Sequence, residues 1–140
     1  MKVSYNDCFM RLMLLNAIAP AELKNDPKLA SRVILMRVAY QKAVGEFQDA
    51  MQKVAEGLNE APEGGEPMGE KEREAAFAEA RDAKAAELTE VPRAKMDAET
   101  FEALTAAIGL EGERELPSAQ GASTTANAVF LSWIAENMVE

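Results

Sequence analysis

Residues 26–58 decide the fold of this chain, and they read DPKLASRVILMRVAYQKAVGEFQDAMQKVAEGL. Asp26 offers a side-chain acceptor for the free N–H groups of a helix start, and Pro27 suits the first helical position because its missing N–H costs nothing there. Large apolar residues then recur at a mean spacing of about 3.6, the period of an α-helix. The stretch therefore predicts one long helix over 27–58.

The apolar residues of this helix form a single stripe that fits an eleven-residue repeat, which is typical of a nearly straight helix face. Three further apolar residues, Ile34, Leu35 and Val38, lie off the stripe in the first half. We therefore expect the first half to be covered on several sides and the second half to keep one polar face. The stripe consists of Leu29, Val33, Met36, Tyr40, Val44, Phe47, Met51, Val54 and Leu58.

A shorter apolar stretch precedes the long helix and predicts a helix over about 6–18, ended by Pro20. We expect it to pack on the first half of the long helix as a helical hairpin. Asp7 precedes the apolar run and Arg11 interrupts it, unlike the apolar segment of a signal peptide. The run is also shorter than the roughly 20 residues of a membrane span, so we predict no membrane contact and a cytoplasmic location.

The rest of the chain predicts a second, thinner set of helices. Residues 59–69 are rich in proline, glycine and glutamate and predict a flexible acidic loop. An alanine- and charge-rich helix is expected over 70–88, followed by an extended segment over 89–96 that contains Pro92.

Two more helices complete the prediction. Asp97 is expected to cap a helix through Ile108 that Gly109 ends. A polar loop through Ser123 leads to a last helix, capped by Ser123 or Thr124, whose apolar face contains Val129, Phe130, Trp133, Ile134 and Met138. The predicted fold class is thus all-α, a single helical domain over 1–140 without a substantial sheet.

The composition excludes catalysis that relies on histidine, since the 140 residues include no histidine and one cysteine, and it leaves carboxylates, lysine, tyrosine and that cysteine as candidate catalytic groups. Histidine triads, histidine proton shuttles and the usual zinc sites are absent, and no disulfide can form within the chain. Cys8 lies in the apolar first helix, where a small core residue is expected rather than a nucleophile. The acidic residues lie in loops and on polar faces without metal-site spacing, so we predict no enzyme activity, no cofactor and no metal.

The charge is unevenly distributed. The formal net charge is −9, yet residues 1–55 carry eight basic and five acidic side chains. The basic residues of the long helix are too irregularly spaced to form one stripe, and the net charge opposes phosphate binding, so no nucleic-acid partner is predicted. The basic N-terminal part of one molecule could instead face the acidic part of another. The basic residues are Lys28, Arg32, Arg37, Lys42 and Lys53.

Two segments of the chain are similar to a known family. One is the apolar first helix with the long helix that begins KLASRVI at residues 28–34 and continues through Phe47 and Leu58. The other reads ELTEVP at residues 87–92 and DAETFEAL at residues 97–104. Together they resemble a small, uncharacterised all-helical family encoded by tailed phages and prophages. The resemblance implies a phage accessory or virion-associated protein, located in the host cytoplasm or the virion, and assigns no functional residues.

Two functions follow as hypotheses. The first is a non-enzymatic helical interaction or assembly protein that binds a protein partner or itself, as a virion-associated or accessory protein of a phage. Its candidate interaction face consists of Tyr40, Phe47, Met51, Leu58, Phe77 and Trp133. The alternative is an acidic inhibitor, or a nucleic-acid-mimicking decoy, that occupies a basic site on a partner protein.

Overall fold

The computed structural model describes residues 1–60, 65–66, 69–117, 121 and 123–140. These residues are mainly helical, as predicted, with two small antiparallel strand pairs. In chain order the elements are β1 (Lys2–Ser4), α1 (Tyr5–Asn16), a 3-10 turn (Pro20–Leu23), α2 (Pro27–Asn59), α3 (Glu70–Ala86), β2 (Leu88–Glu90), α4 (Ala98–Ile108), β3 (Glu113–Leu116), β4 (Ser123–Ala126) and α5 (Asn127–Met138).

The long helix α2 begins as the sequence predicts and ends one residue later than expected. The Asp26 carboxylate accepts a hydrogen bond of 3.1 Å from the Leu29 N–H, and Pro27 occupies the first helical position. Most of the predicted stripe is buried, and α1 packs along this side of α2. The stripe therefore forms the centre of the core, together with Leu14, Leu15 and Ile18 from the first segment.

The first strand pair connects the start of α1 with the end of α3. β1 pairs antiparallel with β2, with Val3 opposite Thr89. Ser4 then caps α1, because its hydroxyl accepts a bond of 3.1 Å from the Asp7 N–H. The helix predicted over 70–88 consequently ends at Ala86, and Leu88 belongs to the strand.

Helix α4 has the predicted bounds. The Asp97 side chain accepts a hydrogen bond of 2.8 Å from the Thr100 N–H. Gly109 ends the helix with φ of 80°, a conformation that favours glycine. Leu104 lies in the core and the partly buried Phe101 packs against it, so these two residues attach α4 to the core.

The polar loop predicted through Ser123 is wrong. β3 and β4 form an antiparallel pair, with Arg114 opposite Thr125, and α5 begins at Asn127 rather than after a Ser123 or Thr124 cap. Arg114 explains the ordered strand, since its guanidinium is held by Glu22 and by the Ala17 carbonyl. Residues 118–120 and 122 of the predicted loop lie outside the described residues.

The expectation that the first half of α2 is covered on several sides is also wrong. Ile34, Leu35 and Val38 are 52%, 43% and 54% exposed. They lie opposite the buried stripe, and the other elements pack on the stripe side. On α5 the predicted face is likewise split, with Phe130 and Ile134 buried while Val129 and Trp133 are exposed.

A smaller apolar cluster joins the second half of α2 to α3. It consists of Tyr5, Phe47 and Met51, packed against partly buried residues that include Phe77. The acidic loop predicted over 59–69 falls mostly on residues 61–64, 67 and 68, which lie outside the described residues. Within the described part of the chain, no helix combines the length and apolarity needed to cross a bilayer.

Candidate protein-interaction face

Helix α2 carries an exposed aliphatic ridge, formed by Ile34, Leu35 and Val38 and here called the α2 ridge. Helical spacing places Val38 one turn after both Ile34 and Leu35, so the three side chains form one patch. Neighbouring positions on this side are small or polar, with exposed Ser31 before the ridge and exposed Gln41 after it. The ridge thus projects from a helix whose opposite side is fully engaged in the core.

A groove lies on each side of the α2 ridge. On one side, the 3-10 turn and α2 enclose about 300 Å³, lined by Pro20, Leu23, Lys24, Pro27, Ala30, Ile34 and Arg37. On the other side, the segment before α4 encloses about 230 Å³ with α2, lined by Arg32, Leu35, Met36, Arg93, Lys95, Met96, Asp97 and Thr100. A second helix can pack on such a surface, because the side-chain ridges of one helix fit into the grooves beside the ridge of another.

Positive charge surrounds the ridge although the whole chain carries −9. Residues 27–45 include four basic side chains and no acidic one, namely Lys28, Arg32, Arg37 and Lys42. Lys24, Arg93 and Lys95 add further cations in the two grooves. The basic residues therefore frame the aliphatic patch instead of forming a stripe along the helix.

Part of this positive charge is already paired. Arg32 lies 3.6 Å from the Asp97 carboxylate and Lys28 lies 3.5 Å from Glu99. Hydrogen bonds from Thr100, with the nearby Arg32 and Lys28 charges, lower the pKa of Asp97. Both ion pairs are exposed and therefore weak, so the cations remain available to another carboxylate.

Arg37 and Lys42 differ in how they are held. Arg37 donates a 2.9 Å hydrogen bond to the Leu15 carbonyl, which fixes its guanidinium beside Ile34. Lys42 is exposed one turn after Val38 and forms no ion pair with any described residue. The ridge thus has one positioned cation and one free cation at its C-terminal end.

The six residues of the predicted interaction face do not lie on one surface. Tyr40 is in the core, where its hydroxyl accepts 3.1 Å from Arg11 Nη1 and donates 2.7 Å to the Ala94 carbonyl. Burial raises the pKa of Tyr40, and the Arg11 hydrogen bond and charge oppose that rise only in part. Tyr40 therefore serves as a buried link among α1, α2 and the segment before α4.

Four of the other predicted residues come together between α2 and α3. Phe47 and Met51 are buried in the smaller cluster, which Phe77 completes. Leu58 and Phe77 are partly buried and line a shallow groove with Arg73. These residues mainly attach α3 to α2, and little of their surface is left for a partner.

Trp133 stands apart on α5, where it is 37% exposed. Val129 lies one turn earlier and is 43% exposed, so the two side chains share a face of the helix. Leu110, near the start of α5, is 62% exposed. Trp133 therefore belongs to a second exposed apolar surface, separate from the helix that carries the α2 ridge.

Cys8, the one cysteine of the chain, lies in the core. Cys8 is fully buried, and burial raises the pKa of its thiol despite the nearby Arg11 charge. Among the described residues, no three acidic or cysteine side chains are grouped as a metal site would require. The exposed groups of the α2 ridge supply aliphatic contact and positive charge.

Sequence reasoning missed the α2 ridge because it treated every apolar residue of the first half of α2 as covered. The signal was present in the sequence. Ile34, Leu35 and Val38 fall off the stripe, within a segment that contains cations but no acids. The same sequence is compatible with a helix that is covered on all sides. Only the packing of the other elements shows whether these three residues are buried or exposed.

No family model matches this chain, and comparisons with curated proteins and with solved structures give no significant match.

Proposed function

We propose that this chain is a non-enzymatic helical interaction or assembly protein that binds another polypeptide on the α2 ridge. The observation that carries the proposal is the exposure of Ile34, Leu35 and Val38 beside two grooves. Single exposed apolar residues are common on protein surfaces, whereas adjacent ones at a groove are typical of binding sites.

The energetics favour a helical partner. Full burial of an aliphatic side chain contributes about 1.5–3 kcal/mol, so the ridge can contribute several kcal/mol before the cost of association. The surrounding cations would then select among apolar partners, because charge complementarity controls specificity and the rate of encounter. An amphipathic helix lying along α2 would use the ridge and both grooves.

We further propose an accessory or virion-associated role, in the host cytoplasm or in the virion, which is what the resemblance of residues 28–34, 87–92 and 97–104 to the phage family implies. The sites that we propose for this role are the exposed ones, so Tyr40, Phe47 and Met51 contribute by positioning α2 and α3 rather than by contacting the partner.

Site-specific photo-crosslinking in the source cell tests the proposal. A photoreactive residue at Leu35 is compared with one at Gln48, which is also exposed on α2 but lies beyond the ridge. We expect a defined crosslinked product from position 35 and none from position 48. Equal labelling at both positions, or no product from position 35, would contradict the proposal.

The acidic decoy is the second candidate, and the net charge of −9 favours it. A nucleic-acid mimic needs carboxylates without intervening cations. Helix α3 carries five acidic but also four basic side chains, so its surface is mixed, whereas residues 109–140 carry five glutamates and one paired arginine. Binding to a basic partner that depends steeply on salt, and that survives loss of the α2 ridge, would favour the decoy.

A further inference from the structure

We infer that the occupant of the α2 ridge is a second copy of this chain, which presents the surface around α5. This inference rests on the proposed function and names the partner of that same site. It predicts head-to-tail association, in which the ridge of one molecule contacts a different surface of the next.

The partner surface, here called the acidic face, consists of the exposed residues of β3, the preceding turn and α5. Its described charged side chains over 109–140 are five glutamates and one arginine. The arginine, Arg114, is only 9% exposed and is bound to Glu22, so it adds little positive charge at the surface. The glutamates are Glu111, Glu113, Glu115, Glu136 and Glu140, all exposed.

The local structure brings these acids beside exposed apolar residues. The Asn127 side chain donates 2.9 Å to the Glu111 carbonyl, and Glu113 pairs with Ala126, so the acids of the turn and strand lie at the start of α5. Val129 and Trp133 follow along the exposed side of that helix, with Glu136 one turn beyond Trp133. The acidic face is therefore an amphipathic helix surface whose own charged residues, apart from the paired Arg114, are glutamates.

The α2 ridge and the acidic face complement each other in apolar contact and in charge. The α2 ridge offers aliphatic side chains beside Arg37 and Lys42, while Arg32 and Lys28 at its other end are already paired with Asp97 and Glu99. The acidic face offers a tryptophan and a valine framed by glutamates. Contact between them would bury exposed apolar area on both molecules while placing opposite charges together.

Other occupants fit the ridge less well. Two ridges packed on each other would bring Arg37 and Lys42 of both molecules together, and like charges in an interface are unfavourable. Nucleic acid would gain little from aliphatic side chains, and the ridge has no aromatic residue on which bases stack. An anionic membrane would meet only three aliphatic residues without an aromatic anchor on this side.

Two variants test the inference with the purified full chain. The ridge variant carries Ile34→Gln and Val38→Gln, and the face variant carries Val129→Gln and Trp133→Gln. All four side chains are exposed, so circular dichroism and thermal unfolding should show the native fold in both. If either double variant unfolds, Lys42→Glu and Glu136→Lys replace them, since both of these charges are exposed.

Light scattering across a concentration series provides the readout. We expect the wild-type mass to rise above that of a monomer with concentration, and each variant alone to associate at least about tenfold more weakly. An equimolar mixture of the variants should form a dimer and nothing larger, because one intact ridge meets one intact acidic face. Raising the salt from about 0.1 M to about 1 M should weaken the association.

Several results would overturn the inference. A mixture that stays monomeric would overturn it, and association that is lost only in the ridge variant would indicate ridge-to-ridge pairing instead. A wild-type chain that stays monomeric at every concentration would also overturn it, as would binding to anionic vesicles or to duplex DNA that the ridge variant abolishes. The crosslink from position 35 separates the two proposals, since a product with a different protein would retain the proposed function and exclude the second copy.

Discussion

Arg114 and Glu22 are 92 residues apart in the sequence and meet in a two-point ion pair, with Nη1 to Oε1 at 3.1 Å and Nη2 to Oε2 at 2.7 Å. The same guanidinium donates to the Ala17 carbonyl and to Asn127 Oδ1 and lies 4.5 Å from the Phe130 ring centroid. One side chain thus fastens β3 to the 3-10 turn and to α5. The orientation of the acidic face depends on this link.

Replacing Arg114 with methionine should therefore destabilise the whole fold. Glu22 is 24% exposed, so the loss should be about 1–3 kcal/mol, because the Glu22 carboxylate and the Ala17 carbonyl lose their hydrogen-bond donor. Urea unfolding followed by circular dichroism measures the loss. Arg81→Met is the matched control, since Arg81 is 53% exposed in its contact with Asp82 and should change stability by less than about 1 kcal/mol. An equal effect of the two substitutions would contradict this role of Arg114.

The pH dependence of the free energy of unfolding should show the contribution of the Glu22 carboxylate to stability. Burial alone would raise the pKa of Glu22, but hydrogen bonds from Arg114 and from the Ala19 N–H, with the Arg114 charge, lower it below its ordinary 4.5. A lowered pKa in the folded state contributes stability that is present above pH 4.5 and is lost as the pH falls through the folded pKa. Glu22→Gln should be less stable at neutral pH, and its free energy of unfolding should fall less steeply below pH 4.5.

Unfolding of wild type and Glu22→Gln across the acidic range distinguishes this group from other carboxylates. Asp97 also has a lowered pKa and contributes to the slope of both proteins. The difference between the two slopes isolates Glu22. Parallel slopes would show that Glu22 titrates normally in the folded chain.

Loss of the Tyr40 hydroxyl should lower the stability of the fold measurably. Tyr40→Phe keeps the ring in the core but leaves the Ala94 carbonyl without its donor and Arg11 without its acceptor. An unsatisfied buried polar group costs about 1–3 kcal/mol. Tyr5→Phe is the control, because its hydroxyl donates at 3.3 Å to the exposed Glu46. A smaller loss for Tyr40→Phe than for Tyr5→Phe in urea unfolding would contradict the buried link.

Sequence reasoning succeeded where the determining interactions are local. Asp26, Asp97 and Gly109 act on backbone groups within a few residues, so the starts of α2 and α4 and the end of α4 could be predicted. The β3–β4 pair could not, because its strands of four residues have little apolar alternation and depend on the distant Glu22. Exposure of the α2 ridge was missed for the same reason, since it depends on where other elements pack.

Replacing two of the glycines with alanine should change the stability in opposite directions. Gly109 ends α4 with φ of 80° and ψ of 154°, a region that alanine tolerates poorly, so Gly109→Ala should destabilise by about 1–3 kcal/mol. Gly57 lies within α2 with nothing within 4 Å of an added Cβ, so Gly57→Ala should stabilise by up to about 1 kcal/mol. Thermal unfolding of both variants checks the signs. Stabilisation by Gly109→Ala would show that this helix end adopts another conformation.

The thiol of Cys8 should be protected from modification as long as the core is closed. Cys8 is the only cysteine in the chain and is fully buried, and burial raises its pKa, so both access and thiolate content are low. A disulfide reagent such as 5,5′-dithiobis(2-nitrobenzoate) should react about a thousandfold or more slowly with the native chain than with the urea-unfolded chain. Tyr40→Phe should speed the native reaction, because it weakens the core that covers Cys8. A native rate equal to the unfolded rate would show that α1 separates readily from α2, and the packing described for this helix would then be wrong.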